Sequence, residues 1–198
     1  MPEDPNCKLI SVQDSVLVIV DIQSHFLRKY ERRVAERYLA RVCWLQDVAN
    51  ALSVPAVAMA EDMPECGDLH PAVLERLPKG ARVFDKNYFG LAGHPEILAA
   101  VRETGRHTTV VIGAETDVCV AQSVLGLLQQ NYRVVVPKDL VITTSGDQET
   151  GLQRMQQAGA VISSTKALFF EWLRSVDGFK NLQQVTNLDS QLPAGLVL

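Results

Sequence analysis

Val110-Val-Ile-Gly-Ala-Glu-Thr-Asp-Val-Cys119-Val120 decides how this chain is read. The β-branched run Thr108 to Ile112 has the character of a buried strand. Gly113 ends it, and a helix is expected from about Asp117 to Gln130. Cys119 then falls in a first helical turn, where free N–H groups and the helix dipole favour an anion. A thiol so placed is expected to have a lowered pKa and to be partly thiolate at neutral pH. A lone cysteine is ordinarily a small buried hydrophobe. Here strand, tight turn, acid-rich loop and cysteine at a helix start together point to a reactive thiol.

Working outward, Ser15-Val-Leu-Val-Ile-Val20 is a continuous apolar run ending at Asp21, as in a parallel strand covered on both faces. Residues 1–14 ahead of it are polar and are expected to form a surface lead-in. Val34, Tyr38, Val42, Leu45, Ala49 and Leu52 recur at three- and four-residue spacing, so 31–52 is expected to be an amphipathic helix. Pro55 to Ala60 is the second strand, followed by the loop Glu61-Asp-Met-Pro-Glu-Cys-Gly67. A short helix near Pro71 and a third strand over Arg82 to Phe84 lead to the loop Asp85-Lys-Asn-Tyr-Phe-Gly90. Pro95 suits a helix start and Gly105 its end. Further strands are expected over 133–136 and 160–163. Ser145 and Gln148 have capping-box spacing for the helix between them, which Gly159 closes. Leu168, Phe169, Trp172 and Leu173 mark a further helix, and the tail after Gly178 carries no signal.

This alternation predicts one α/β domain over residues 1–198, a three-layer sandwich on a six-stranded, mostly parallel sheet. Right-handed crossovers give the order 3-2-1-4-5-6. Strands 1 and 4 are then neighbours at the switch point where ligands bind, which brings Asp21 and Cys119 together.

The chain has 198 residues, 47% hydrophobic and 21% charged, and a net charge of −4, without the basic footprint of nucleic-acid or acidic-membrane binding. No apolar run approaches a membrane span, and no secretion signal is visible. Cys7, Cys43, Cys66 and Cys119 lie far apart, which is better read as free thiols in the cytoplasm than as a disulfide framework.

Val18-Ile-Val-Asp21-Ile-Gln23, the lysine of Phe84-Asp-Lys86, and Gly113-Ala-Glu-Thr-Asp-Val-Cys119-Val120 occur in this order, and the chain from about Ser15 to Trp172 resembles the isochorismatase-like hydrolases, or cysteine hydrolases. The first motif alone is weak; the last is specific. The resemblance implies an Asp21–Lys86–Cys119 triad. Cys119 would attack a carbonyl to give a thioester, Asp21 would take the thiol proton and pass it to the leaving amine, and Lys86 would favour both anions. Taken singly, Asp21 reads more readily as a helix cap and Lys86 as a solvated loop cation. Strand 3 lies two strands, roughly 10 Å, from strand 1, so the loop 85–90 must fold back for Lys86 to reach. The resemblance also implies a cis peptide at Ala114–Glu115, aiming the N–H groups of Glu115 and Cys119 at a developing oxyanion.

Nicotinamidase members of that family bind a metal through Asp-x-His and a further histidine. Asp68-Leu-His70 has the local spacing but lies late, and His25, His94 and His107 are scattered. No metal and no other cofactor is expected, and Glu61-Asp-Met-Pro resembles the Glu-x-x-Pro loop of metal-free members. Phe26, Tyr88 and Phe89 are candidates to line a small substrate pocket. Dinucleotide, P-loop, serine-hydrolase and zincin motifs are absent. The leading expectation is a hydrolase of a small amide or related C–N bond. Vinyl ether hydrolysis of the isochorismatase type, or a non-enzymatic, protein-binding role, are the alternatives. A dimer or tetramer is expected, partly from the resemblance and partly from Phe169, Phe170 and Trp172 crowding one helix.

Overall fold

The computed structural model describes residues 8–188 and 190–198. Its strands are β1 (Ser15–Val20), β2 (Ala56–Glu61), β3 (Val83–Lys86), β4 (Thr108–Ala114), β5 (Arg133–Pro137), β6 (Val141–Ile142) and β7 (Val161–Ser163). The helices are α1 (Ser24–Leu27), α2 (Arg32–Ala51), α3 (Met63–Cys66), α4 (Pro71–Leu74), α5 (Pro95–Glu103), α6 (Ala121–Gln129), α7 (Gln148–Gln157), α8 (Thr165–Leu173) and α9 (Val176–Val185).

All strand pairs are parallel, in the order β3-β2-β1-β4-β5-β7, with β6 against β4. The sheet therefore has seven strands rather than the expected six, and the expected sixth is β7. β5 pairs with β4 at Thr108–Val110, and β6 pairs with it further on, at Gly113 and Ala114. A turn closed by Leu140 N–H donating to Pro137 O (2.9 Å) separates β5 from β6. Two residues are too few for a periodic signal, which is why the sequence hides β6.

β1 and β4 are buried along their whole length. Leu17 and Ile19 pack on one side of the sheet with Trp44 and Leu45 of α2 and Phe169 of α8. Val16, Val18 and Val20 pack on the other with Val111, Val120 and Val124. Covering both faces explains the unbroken apolar runs in the sequence. Trp172 belongs to this core, its Nε1 donating to Ser15 Oγ at 3.0 Å.

Local differences have identifiable causes. Ile10 in the lead-in is buried, and its N–H donates to Glu171 at 2.6 Å. The tail supplies α9 and the buried Leu182, Leu188 and Leu196. Asp147, not Ser145, precedes α7, because the Ser145 hydroxyl donates to Asp117 instead (3.1 Å). No helix of the described residues is long and apolar enough to cross a membrane.

Candidate active site

The C-terminal ends of β1, β2, β3 and β4 deliver four polar side chains to one point. Asp21 follows β1, Glu61 ends β2, Lys86 ends β3, and Cys119 lies in the turn after β4. Glu61 and Lys86 are direct partners in the sheet register. Lys86 is thus the last residue of a strand and not part of a folded-back loop. Its extended stem spans the distance across β2, and Nζ reaches Asp21 Oδ2 at 2.8 Å and Glu61 Oε2 at 3.3 Å. Nζ also donates to the Tyr88 carbonyl at 3.3 Å. The Cys119 thiol donates to Glu61 Oε2 at 3.1 Å.

Burial is extreme. The Asp21 and Lys86 side chains are 0% exposed, Cys119 is 2% exposed, and the Glu61 side chain is 19% exposed. The Asp21 carboxylate is paired with Lys86 through Oδ2 and also interacts with the Cys119 thiol. Burial pushes the Asp21 carboxyl up to about 6, with Lys86 opposing the rise. Burial works against the Lys86 ammonium too, but Asp21, Cys119 and Glu61 together hold its pKa above the ordinary value. Burial, then Asp21 and Glu61, push the Cys119 thiol well up against the pull of Lys86. The expected lowered thiol pKa is therefore corrected: two carboxylates face the sulfur, and Cys119 rests as a protonated thiol.

The turn carrying Cys119 also differs from a regular first helical turn. Thr116–Val120 form a π turn, in which Ala121 N–H bonds to Thr116 O, before α6 begins at Ala121. π turns of this kind frequently sit at functional sites. Glu115 enters the turn in the left-handed region (φ 58°, ψ 69°), a conformation costing about 1–2 kcal/mol for an L-residue. The peptide bonds of the described residues are trans, Ala114–Glu115 included, so the implied cis bond is corrected. The left-handed Glu115 and the π turn reverse the chain instead. The N–H groups flanking Cys119, of Val118 and Val120, both donate to Glu115 O, at 3.1 and 3.2 Å. Gly113 is required at the end of β4, because a Cβ there would collide with the Val20 carbonyl oxygen.

Gln23, fully buried, ties Glu61 in place through both ends of its amide. Nε2 donates to Glu61 O (2.8 Å) and Gly67 O (2.6 Å), and Oε1 accepts from Glu61 N (2.8 Å). In the sequence Gln23 and Glu61 appear only within family motifs, Asp21-Ile-Gln23 and the Glu-x-x-Pro loop, with no site role attached to either. The available signal for Glu61 is topological: it ends the strand next to the one that ends at Asp21.

The expected pocket aromatics do not gather at the thiol. Phe26 is buried in the core. Tyr88 and Phe89 are exposed and line a groove of about 440 Å³ with Gly90, Gln122, Leu125 and Gly126 of the facing segments. Tyr88 meets the site through its backbone carbonyl, not its ring.

Asp21, Glu61 and Cys119 each place one potential ligand atom within 4.8 Å of the others, the spacing of a metal site. The Lys86 ammonium lies against both carboxylates, so the donor set already holds a cation and does not fit a resident metal ion. Asp68 and His70 stand apart from this cluster. The Asp68 carboxylate accepts from Leu69 N, and His70 Nδ1 accepts from Ala72 N to cap α4.

A parallel α/β sheet with a cysteine, an aspartate and a lysine at its carboxyl edge defines a hydrolase-like class. The isochorismatase domain model matches residues 15–167, and the chain belongs to the isochorismatase family. It is 28% identical to isochorismatase family protein 1B of Dictyostelium discoideum, over 88% of this chain and 86% of that one. Its fold is similar to that of the MAR1 ribonuclease from Caenorhabditis elegans (TM-score 0.82, 26% identity, 96% and 97% of the two chains). It is also similar to the YcaC gene product of Escherichia coli, described as an octameric hydrolase of unknown specificity (TM-score 0.80, 22% identity, 89% of each chain).

Proposed function

We propose that this chain is a cysteine hydrolase that cleaves a small carboxamide or related C–N bond through a thioester on Cys119. The observation that carries the reading is the contact network around the sulfur: a buried Lys86–Asp21 ion pair at 2.8 Å beside a thiol at the end of the neighbouring strand. Because the thiol rests protonated, its activation coincides with attack. Sγ bonds to the carbonyl carbon as its proton passes to Asp21, whose pKa of about 6 suits a base at neutral pH. The tetrahedral intermediate expels the amine, which takes that proton and leaves neutral. Water then attacks the thioester, Asp21 accepts its proton, the acid departs, and the thiol is regenerated. Lys86 stays charged throughout and offsets the negative charge that develops beside it. The N–H groups of Glu115 and Cys119, after Ala114, are the proposed oxyanion donors.

A sealed site favours a small substrate over a polynucleotide. Only Glu61, among these four side chains, is more than marginally exposed, and the chain carries a net charge of −4. We also propose a homo-oligomer, a dimer or tetramer; oligomerisation as such is supported by the octameric E. coli protein of similar fold and by exposed Phe170 and Val176 on α8 and α9. The unpaired Cys43, Cys66 and Cys119 suit a cytoplasmic setting.

The test is a hydrolysis screen of small amides, ureides and carbamoyl compounds with wild type and Cys119→Ala. Turnover by wild type with an acyl-enzyme mass on Cys119, lost in the variant, is the expected result. Equal turnover by both proteins overturns the thioester route and leaves vinyl ether hydrolysis ahead. No turnover, with Cys119 inert to small electrophiles, leaves a non-enzymatic role.

A further inference from the structure

Glu61 is unused in the mechanism above, yet its carboxylate is hydrogen-bonded to the sulfur. Its Oε2 accepts from the Cys119 thiol at 3.1 Å and lies 3.3 Å from Lys86 Nζ. Its other oxygen, Oε1, makes no hydrogen bond or ion pair among the described residues. Its backbone is clamped at both N and O by the buried Gln23 amide, so the strand end that carries the carboxylate is held. With a side chain 19% exposed, against 0% for Asp21 and Lys86, it is the group that an arriving molecule meets first.

We propose that Glu61 is the substrate-recognition carboxylate of this site, accepting a hydrogen bond from the N–H₂ of a primary carboxamide or ureido group. This inference rests on the nucleophilic role proposed above for Cys119. The geometry sets the consequence. An amide nitrogen bonded to Glu61 lies about 2.9 Å from a carboxylate oxygen, and its carbonyl carbon is about 1.3 Å further on. Since the same carboxylate is 3.1 Å from Sγ, an amide that approaches from the sulfur side of Glu61 brings that carbon toward the sulfur. A substrate N–H placed on Oε2 competes with the thiol for that oxygen and frees the thiol proton for Asp21. A carboxylate can only accept, so it favours N–H₂ groups and disfavours esters, tertiary amides and carboxylates of like charge. Loss of a charge-assisted hydrogen bond of this kind corresponds to about a 10- to 100-fold loss in rate.

The inference can be tested without knowing the natural substrate. Acrylamide, N,N-dimethylacrylamide and methyl acrylate each add to a thiol: the S–C bond forms at the β-carbon, the C=C π bond breaks, and the thiol proton ends on the α-carbon. Rates at Cys119 are read by peptide mass spectrometry for wild type, Glu61→Gln and Glu61→Ala, each divided by the rate with N-acetylcysteine at the same pH. The wild type is expected to favour acrylamide over both other reagents by about tenfold or more after this correction. Glu61→Ala should lose that preference, and Glu61→Gln, whose side-chain oxygen still accepts but carries no charge, should weaken it; the ratio of acrylamide to N,N-dimethylacrylamide within each variant is the readout. A wild type with no corrected preference, or a preference that survives in both variants, overturns the role of Glu61 while leaving Cys119 as the nucleophile. Failure of all three reagents to modify Cys119 overturns the nucleophilic reading, and this one with it.

Discussion

Lys86→Met removes one charge from a deeply buried site. The side chain is 0% exposed, and its ammonium is the counterion of Asp21 at 2.8 Å and of Glu61 at 3.3 Å. Methionine is close in volume, so the cavity contribution is small and the electrostatic one dominates. Breaking a buried ion pair on one side costs about 3–5 kcal/mol, because the surviving charge is left uncompensated. For a chain of this size about 1 kcal/mol moves Tm by roughly 2–4 °C, so the variant should melt roughly 6–20 °C lower near pH 8. The cost depends on pH with a definite sign. Asp21 is raised to about 6 even with Lys86 present, and without that opposing cation it rises further. A carboxyl whose folded pKa exceeds its unfolded value favours the fold while protonated and loses that contribution as pH rises through the folded pKa. The deficit of Lys86→Met should therefore be largest near pH 8 and shrink toward pH 5, where Asp21 is neutral. Urea denaturation of both proteins at pH 5, 6.5 and 8 measures it. A deficit below about 1 kcal/mol at pH 8, or one equal at all three values, would refute the buried ion pair as the stabilising element.

With an amide substrate in hand, Cys119→Ala should abolish turnover and Asp21→Asn should reduce it nearly as far. The double variant should be little worse than Cys119→Ala, since groups acting as one unit fail together; additive losses in steady-state kinetics would separate them. The acid limb of the rate profile should fall near pH 6, because Asp21 must be a carboxylate to take a proton and is ionised only above that value. A limb near pH 4 would show that another group is the base. Among Cys43, Cys66 and Cys119, a bulky maleimide should modify Cys66 first, since the other two are buried; fastest labelling of Cys119 would mean that the site is open in solution.

The sequence displays six of the seven strands and three of the four polar residues, and the reason is geometric. β1 and β4 are central strands covered on both faces, so they appear as apolar runs with Asp21 and Cys119 at their ends. Lys86 is visible only through the family motif, and its location at the end of β3 is not: the expected strand stopped at Phe84, two residues short. Glu61 is hidden for another reason. An acidic residue after a strand is common, and nothing local tells whether it faces water or a neighbouring strand's lysine. That depends on the β2–β3 register, which a single chain does not reveal. The thiol pKa fails on the same ground. The helix-start argument counts the dipole at Cys119, but two carboxylates from distant strands and near-total burial act in the opposite direction and prevail.

The protonated resting thiol has a functional logic. A thiolate sealed among side chains would be a standing target for oxidants and stray electrophiles, whereas a thiol that donates to Glu61 is inert until that bond is replaced. On the proposed reading, the groups able to replace it are those that carry a donor to Glu61, and they bring a carbonyl within reach of the sulfur in the same movement. Recognition and activation then become one event, located at the single side chain of the four that solvent reaches appreciably. Gln23 explains why this does not loosen the site. By fixing the Glu61 backbone at both N and O, it lets the carboxylate exchange partners without moving the strand end that carries it, so Lys86 keeps its 2.8 Å pairing with Asp21 while the thiol is released.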